Sequence, residues 1–306
     1  MMQEEIKPDL ARYEANRQAW NAATQAHNSH KADQAAFFHG GGSTLFPEEL
    51  GLLGDICDRT IVHLQCNAGQ DSLSLAARGA RVTGVDISDY AIEFARQLAA
   101  DTAIAATFER SDIYAWFAEA QAAGRQFDIA FCSYGFLCWL SDLRGWARGI
   151  ASVLKPCGRF VAVEFHPFSM IFDDDWSRTD DYPTGGQPLD WRSGVGDYVA
   201  ISGDGLTPSG WIEGITDFRN PHPGHEWSWG LGEVVTALIE ADLTLETLRE
   251  YPYSNGERRF VGMREGEGKR MYPPAGMPAV PLMFGLTARR NAAPVAHESP
   301  GTGGAP

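Results

Sequence analysis

The sequence predicts an α/β fold, in which a doubly wound, mostly parallel sheet carries helices on both faces. Short apolar runs alternate with helical patterns from residue 60 onward, and this alternation is typical of parallel sheets. The predicted strands of this part lie near 61–65, 81–85, 105–109, 127–132 and 159–164. The predicted helices between them lie near 70–78, 89–100, 113–122 and 142–153. A helix near 231–241 and strands near 243–250 and 281–288 complete the pattern.

Composition narrows the class of partner. The 306 residues, 44% of them hydrophobic, suffice for one large domain or for a core domain with an insert. A formal net charge of −15 argues against nucleic acid and against an anionic membrane surface, because both require clustered Lys and Arg. The five cysteines lack C-x-x-C and Cys/His spacing, which predicts free thiols and no metal site. The polar start resembles no secretory signal, so a cytoplasmic location is expected.

The most informative stretch runs from Thr60 to Ser88. It reads as an apolar strand, a short polar turn, a helix, and a second apolar strand that ends in Asp86. Doubly wound sheets use this layout to hold adenosine-containing ligands, and the acidic residue can accept both ribose hydroxyls. The turn contains a single glycine, Gly69, so the G-x-G-x-x-G pattern of pyrophosphate binding is missing. A ligand without phosphates, S-adenosylmethionine (SAM), is therefore favoured over NAD.

Residues His63 to Ala76, HLQCNAGQDSLSLA, resemble motif I of class I SAM-dependent methyltransferases. The likeness is to a bacterial small-molecule subgroup with the form H-L-Q-C-x-x-G-Q-D-S-L-S-L-A. His63, Gln65 and Asn67 stand where the common motif has an acidic residue and two glycines, and Asn tolerates left-handed backbone conformations. The resemblance covers roughly residues 60–164. It implies a Rossmann-like sheet whose last strand is antiparallel, with SAM as the cofactor.

The resemblance also implies which residues bind SAM. Asp86 is expected to bind the ribose hydroxyls, Ile87 to lie against the adenine, and Asp112 to contact the adenine amino group. The alternative for either aspartate is an N-cap of the following helix. Trp20 belongs to an N-terminal helix of the kind that closes over the cofactor in this family, and simple docking of that helix is the alternative. The full predicted cofactor set is Gln65, Cys66, Asn67, Gly69, Asp86, Ile87, Asp112, Ile113, Cys132, Ser133 and Trp20.

The chain outside the core is expected to shape the substrate pocket. Residues 28–44 read as a loop after an amphipathic helix over 9–27, and residues 195–202 and 211–218 could pair as strands. The predicted divisions are an N-terminal helical lid (1–55), a SAM-binding core (56–164), a substrate-pocket insert (165–228), the completion of the core (229–290) and a disordered tail (291–306).

Two residues at the end of the fifth predicted strand are the candidate catalytic groups. Glu164 and His166 place a carboxylate and an imidazole beside the expected site of methyl transfer. A base is needed only if the acceptor must lose a proton, and either residue could serve. The alternative is structural, with Glu164 as a local cap or ion-pair partner and His166 as a satisfied histidine near the strand end.

The candidate substrate residues come from several parts of the chain. They are Tyr13, Tyr134, His222, His225 and Trp211. The two histidines precede Glu226, but their spacing and the flanking prolines fit no helical metal site, and no metal is predicted. Aspartates in 173–175 and 180–181 resemble those that hold magnesium on a prenyl diphosphate, with a solvated loop as the alternative.

The sequence therefore predicts a SAM-dependent methyltransferase that acts on a small, largely apolar acceptor from secondary metabolism. Five tryptophans in and near the insert favour C-methylation of an indole, another aromatic or an isoprenoid, because aromatic faces stabilise a developing cation. N- or O-methylation is the runner-up. From another class, a SAM- or nucleotide-binding protein without catalysis and an NAD-dependent oxidoreductase remain open. Homo-oligomerisation is compatible with the sequence.

Overall fold

Strands and helices alternate along the first half of the chain, and the computed structural model describes residues 10–292. The strands are β1 (Thr60–Leu64), β2 (Arg81–Asp86), β3 (Ala106–Arg110), β4 (Phe127–Ser133), β5 (Leu154–Phe165), β6 (Gln187–Trp191), β7 (Gly224–Ser228), β8 (Leu243–Tyr251), β9 (Ser254–Asn255), β10 (Arg264–Glu265), β11 (Arg270–Tyr272) and β12 (Met283–Arg290). The α-helices are α1 (Leu10–Ser29), α2 (Gln34–His39), α3 (Pro47–Leu53), α4 (Gln70–Ala77), α5 (Asp89–Thr102), α6 (Ile113–Ala122), α7 (Leu143–Val153), α8 (Tyr198–Ser202) and α9 (Leu231–Glu240).

Seven of these strands form the main sheet, in the order β3-β2-β1-β4-β5-β12-β8. Strands β1 to β5 pair in parallel, whereas β12 lies antiparallel between β5 and β8. The predicted α/β fold class, with its antiparallel last strand, is confirmed. Strand order reverses beside β1, whose neighbours are β2 and β4. Sheets of this type bind ligands at that reversal, beyond the carboxyl ends of the strands.

Side chains of alternating direction bury both faces of the sheet. On one face Ala130 and Phe160 pack with Trp146 of α7, which is fully buried. On the other face Phe131 and Val161 pack with helices α3 and α4. Burying each such large apolar side chain contributes about 1.5–3 kcal/mol. The packing fixes the strand ends, so the turns that follow them have a rigid support.

The segment after β5 differs from its prediction. Residues 198–202 form helix α8, because Asp197 caps it by accepting a hydrogen bond from the Ala200 N–H (2.9 Å). The predicted strand over 211–218 is also wrong, since only Trp211 forms a single bridge there, to Lys31. The antiparallel strand pair of this segment is β6 with β7 instead.

The predicted loop over 28–44 is wrong in part, because it contains helix α2. Asp33 caps this helix by accepting from the Ala36 N–H (2.9 Å), a local signal that the sequence reading overlooked. Of the predicted disordered tail, residues 293–306 lie outside the described residues, as do residues 1–9 at the other end. Within 10–292, no helix combines the length and apolar character that crossing a membrane requires.

Candidate active site

A cavity of about 950 Å³ opens at the carboxyl ends of β1, β2 and β4. This volume lies at the upper end of the range for small-molecule sites, about 300–1,000 Å³. Three parts of the chain enclose it. The strand-tip wall consists of lining residues in 65–67, 85–87, 111–113 and 133–136; helices α1 and α2 supply a second wall; and the insert wall consists of the lining residues between 191 and 259.

The turn between β1 and α4 has an unusual backbone. Gln65, Asn67 and Gly69 all have positive φ angles, of 55°, 49° and 78°. A Cβ on Gly69 would lie 2.7 Å from side-chain atoms of both Ala95 and Phe108. Glycine is therefore required for packing this turn against α5 and β3, and Gly69 itself does not line the cavity of the described chain. The sequence had placed Gly69 among the predicted cofactor-binding residues.

Asp86 at the tip of β2 links two parts of the strand-tip wall, the turn after β1 and the tip of β2. Its carboxylate accepts from the Asn67 N–H and the Ser88 N–H, both at 2.8 Å. Burial raises the pKa of Asp86 to about 6. These bonds hold the turn after β1 against the tip of β2, and each carboxylate oxygen keeps a lone pair for a further donor.

Asp112 fulfils the alternative role that the sequence allowed. Its Oδ1 accepts from the N–H groups of Tyr114 (3.0 Å) and Ala115 (3.1 Å), which makes it the N-cap of α6. Burial raises the pKa of this carboxyl as well. Both capping bonds use the same oxygen, so Oδ2 stays available on a residue that also lines the cavity.

His63 stands where the common motif has an acidic residue, and it belongs to a buried polar network. Its Nδ1 lies 2.8 Å from Ser72 Oγ and its Nε2 lies 3.2 Å from Ser133 Oγ. Because the Ser133 hydroxyl donates to Asp71 Oδ2 (3.0 Å), the proton of the imidazole belongs on Nε2. Burial lowers the pKa of His63 to about 4, so the ring is neutral near pH 7.

Two further polar groups of the cavity were missed by the sequence analysis. Lys31 lines it, and burial lowers the pKa of this ammonium to about 8, with Asp71 opposing the shift. Lys31 forms no ion pair within the described chain. Gln65 donates from Nε2 to the Phe136 carbonyl (3.0 Å), whereas its buried Oε1 has no partner among residues 10–292. A lone lysine in a predicted loop carries no sequence signal for such a position.

The carboxylate of the predicted catalytic residue Glu164 is engaged in hydrogen bonds from backbone N–H groups. Its carboxylate accepts from four N–H groups: those of Gly135 (2.6 Å), Phe136 (2.7 Å), Leu137 (3.0 Å) and Phe165 (2.6 Å). Only 2% of the residue is exposed, and it is not among the lining residues of the described cavity. Glu164 therefore shapes the loop after β4.

His166 is likewise engaged in structural bonds. Its Nε2 pairs with Glu250 Oε1 (2.8 Å), and its Nδ1 accepts from the Phe168 N–H (3.0 Å). Burial lowers the pKa of this imidazole. The ring lies against Phe284 of β12 and not among the lining residues of the described cavity.

The predicted cofactor residues mostly converge on the cavity. Cys132 does not line it, since this thiol is fully buried within β4. Gly69 does not line it either. The predicted cofactor residues that do line it are Gln65, Cys66, Asn67, Asp86, Ile87, Asp112, Ile113, Ser133 and Trp20.

The predicted substrate residues separate into two groups. Tyr13 and Tyr134 line the cavity, and the Tyr134 hydroxyl accepts from Asn255 Nδ2 (2.8 Å). Trp211 is 41% exposed and stacks on the ring of His30, with 4.7 Å between the ring centroids. It is not among the lining residues of the described cavity. His222 and His225 do not line the described cavity, and His225 pairs with Asp190 (2.7 Å). No cluster of His, Cys, Asp or Glu within 10–292 is arranged to hold a metal ion.

The insert wall brings aromatic rings and acidic side chains together. Trp191 donates from Nε1 to Glu226 (3.2 Å), and burial raises the pKa of that carboxyl. The ring of Tyr198 packs on the ring of His27 from α1, with 4.1 Å between the ring centroids. Burial raises the pKa of Glu257 to about 7, against the opposing charge of Arg259. Glu257 carries no sequence signal, because it follows a predicted strand in a stretch without any motif.

Comparisons with known proteins agree with this arrangement. Residues 61–158 match the family model described as a methyltransferase domain. The chain is 27% identical over 110 residues to the ubiquinone biosynthesis O-methyltransferase of Nitrosomonas europaea, covering 36% of this chain and 42% of that relative. The chain thus spans less than half the length of that curated relative.

Solved structures resemble the fold over a larger part of the chain. The SAM-dependent methyltransferase from Mesorhizobium loti has a TM-score of 0.51 at 19% identity, over 82% of this chain and 99% of that one. The DhpI–SAH complex has a TM-score of 0.51 at 13% identity, over 93% and 99%.

Residues 61–158 are thus similar to a methyltransferase domain, and the sheet order and the position of the cavity agree with that likeness.

Proposed function

We propose that the chain is an enzyme that transfers the methyl group of SAM to a small, largely apolar acceptor. The observation that carries the proposal is one continuous cavity whose strand-tip wall ends in Asp86 and whose insert wall contains Tyr198 and Glu257. A cofactor on the first wall and an acceptor on the second would meet inside it. We propose that residues 165–228 shape the acceptor side.

The chemistry of the strand-tip wall fits SAM. The uncommitted lone pairs of Asp86 suit two ribose hydroxyls, and Asp112 Oδ2 suits the adenine amino group. The buried, unpartnered Gln65 Oε1 suits the ammonium of the methionine part, and Lys31 suits its carboxylate. When bound, SAM supplies an electrophilic methyl group. Binding the acceptor, orienting it and excluding water are tasks of this protein's own side chains.

We propose positioning roles for the predicted catalytic residues. Glu164 holds the backbone of 135–137 beside the strand-tip wall, and His166 fixes the start of the segment that follows β5. Methyl transfer is an in-line displacement, so orientation and exclusion of water supply much of the acceleration. Helices α1 and α2 contribute to that exclusion with Trp20, Phe37 and Phe38, which line the cavity.

The acceptor side favours a flat, apolar molecule. Rings of Trp139, Phe165, Trp191 and Tyr198 line it, and aromatic faces bind planar rings and stabilise cations. C-methylation of an indole or another aromatic, or of an isoprenoid, is the first candidate. O- or N-methylation is the second, and the relative named as a ubiquinone biosynthesis O-methyltransferase favours O-methylation of the two.

Isothermal titration calorimetry tests this function without a known acceptor. S-adenosylhomocysteine (SAH) should bind at one site per chain, and NADH should give no heat. Binding of NADH in place of SAH would support the oxidoreductase. SAH binding without methyl transfer to any molecule of a cell extract, followed with [methyl-14C]SAM, would support a protein that binds and does not catalyse.

A further inference from the structure

Glu257 is the acidic residue of the cavity whose carboxylate is uncommitted. Six acidic residues line the cavity, and five of them already accept hydrogen bonds or pair with a lysine: Asp71, Asp86, Asp112, Asp204 and Glu226. The carboxylate of Glu257 has no hydrogen-bond or ion-pair partner within residues 10–292. Among the lining carboxylates of the described part of the chain, Glu257 is therefore the one with neither oxygen engaged by the protein.

The backbone around Glu257 is held firmly. Its N–H donates to the Asn255 carbonyl (2.8 Å), and its own carbonyl accepts from Ser254 Oγ (2.8 Å). Ser254 belongs to β9, which pairs with β11. The backbone position from which the Glu257 side chain enters the cavity is therefore fixed.

Glu257 lines the same cavity as Asp86 of the strand-tip wall and Tyr198 of the insert wall. Burial acts with the negative charge of Glu164, whose carboxylate holds the loop after β4, to raise the pKa of the Glu257 carboxyl. Burial gives the Glu257 carboxyl a pKa of about 7, and a general base works best with a pKa near the working pH.

We propose that Glu257 is the general base of the reaction and that the acceptor atom carries a hydrogen. The inference rests on the proposed methyltransferase function and extends it. The acceptor atom forms a bond to the methyl carbon while the bond from that carbon to sulfur breaks, and the electron pair stays on sulfur. The proton of the acceptor atom passes to the Glu257 carboxylate and then to water.

This assignment defines the class of substrate. Phenols, primary and secondary amines and electron-rich aromatic carbons lose a proton on methylation, and Glu257 can take it. Tertiary amines, pyridine-type nitrogens and thioethers have no proton to lose, so Glu257 gives them no assistance. The proposed acceptors are thus X–H nucleophiles on a flat apolar frame.

The test compares Glu257→Gln with Glu267→Gln, a control at an exposed position of the same segment outside the described cavity lining. Two bicyclic probes of similar size serve as acceptors, 2-naphthol with an O–H and quinoline without an ionisable hydrogen. Glu257→Gln should lower the turnover of 2-naphthol by about a hundredfold or more, and that of quinoline by less than about threefold. Equal losses for both probes would overturn the assignment.

A second readout does not depend on turnover. In the SAH complex of the full chain with 13C-labelled glutamate, the resonance lost in Glu257→Gln should titrate near pH 7. A Glu257 carboxyl that stays ionised down to pH 5 would overturn the assignment even if neither probe is methylated. Failure of the wild-type chain to bind SAH would instead refute the underlying methyltransferase function, so the two failures are distinguishable.

Discussion

The two main walls of the cavity are built in different ways. The strand-tip wall comes from the carboxyl ends of the successive parallel strands β1 to β4, and backbone N–H groups hold its acidic residues in place. The insert wall is assembled from segments outside those parallel strands, and it keeps Glu257 uncommitted. On the proposed function, the parallel sheet preorganises cofactor recognition, whereas acceptor recognition depends on how the segments outside the parallel strands pack.

Removal of the Asp86 carboxylate should have the largest effect on the strand-tip wall. Asp86→Asn should weaken SAH binding by at least about a hundredfold, because hydrogen bonds to a charged group contribute about 1.5–3 kcal/mol each and both ribose hydroxyls would lose such a bond. Calorimetry measures the change, with Asp101→Asn on an exposed part of α5 as the control. An unchanged dissociation constant would show that the ribose lies elsewhere.

Glu164 offers a way to separate positioning from chemistry. Glu164→Gln should destabilise the protein by about 2–4 kcal/mol, because an amide cannot accept from four N–H groups as a carboxylate does. Urea unfolding followed by circular dichroism measures this loss, with the exposed Glu119→Gln as the control. Full stability combined with lost turnover would restore Glu164 as the catalytic base and weaken the contrast between the two walls.

The same contrast explains what the sequence could predict. The alternation of strands and helices indicated the sheet, and Asp86 was recognisable because a strand tip has a fixed place in such a fold. Glu164 and His166 were correctly placed at the end of β5, but adjacency in sequence did not reveal that backbone N–H groups and Glu250 engage them. Those bonds depend on where the next loop and the neighbouring strand pack.

The sequence does not single out Glu257 or Lys31 as site residues, for a related reason. Their neighbours along the chain carry no motif, and their surroundings come from helices and strands that are remote in sequence. The error over 195–202 has a local cause, since a β-branched, apolar stretch suits a strand until Asp197 caps it as a helix.

Lys31 should have an intermediate effect. Lys31→Met should weaken SAH binding by about tenfold, which equals about 1.4 kcal/mol, because the carboxylate of the ligand would lose its cation. Lys31→Arg keeps the charge and should lose less. If both variants bind SAH as the wild type does, Lys31 does not contact the cofactor and belongs to the acceptor side of the cavity.

Acidification should produce the smallest and most graded effect. The pKa of Asp86 lies at about 6, so the carboxylate that accepts from the ribose is present above this pH and becomes protonated below it. SAH affinity should fall by up to about tenfold per pH unit below 6. Dissociation constants at pH 7 and pH 5 measure the change, which Asp86→Asn should abolish; a decline that persists in that variant would assign it to another group.

A crystal structure of the SAH complex tests the central claim most directly. Both ribose hydroxyls should lie within hydrogen-bonding distance of Asp86, and the sulfur should face the insert wall on the side of Glu257. A ligand bound outside this cavity, or one whose sulfur points away from the insert wall, would contradict the claim that the two walls serve a single methyl transfer.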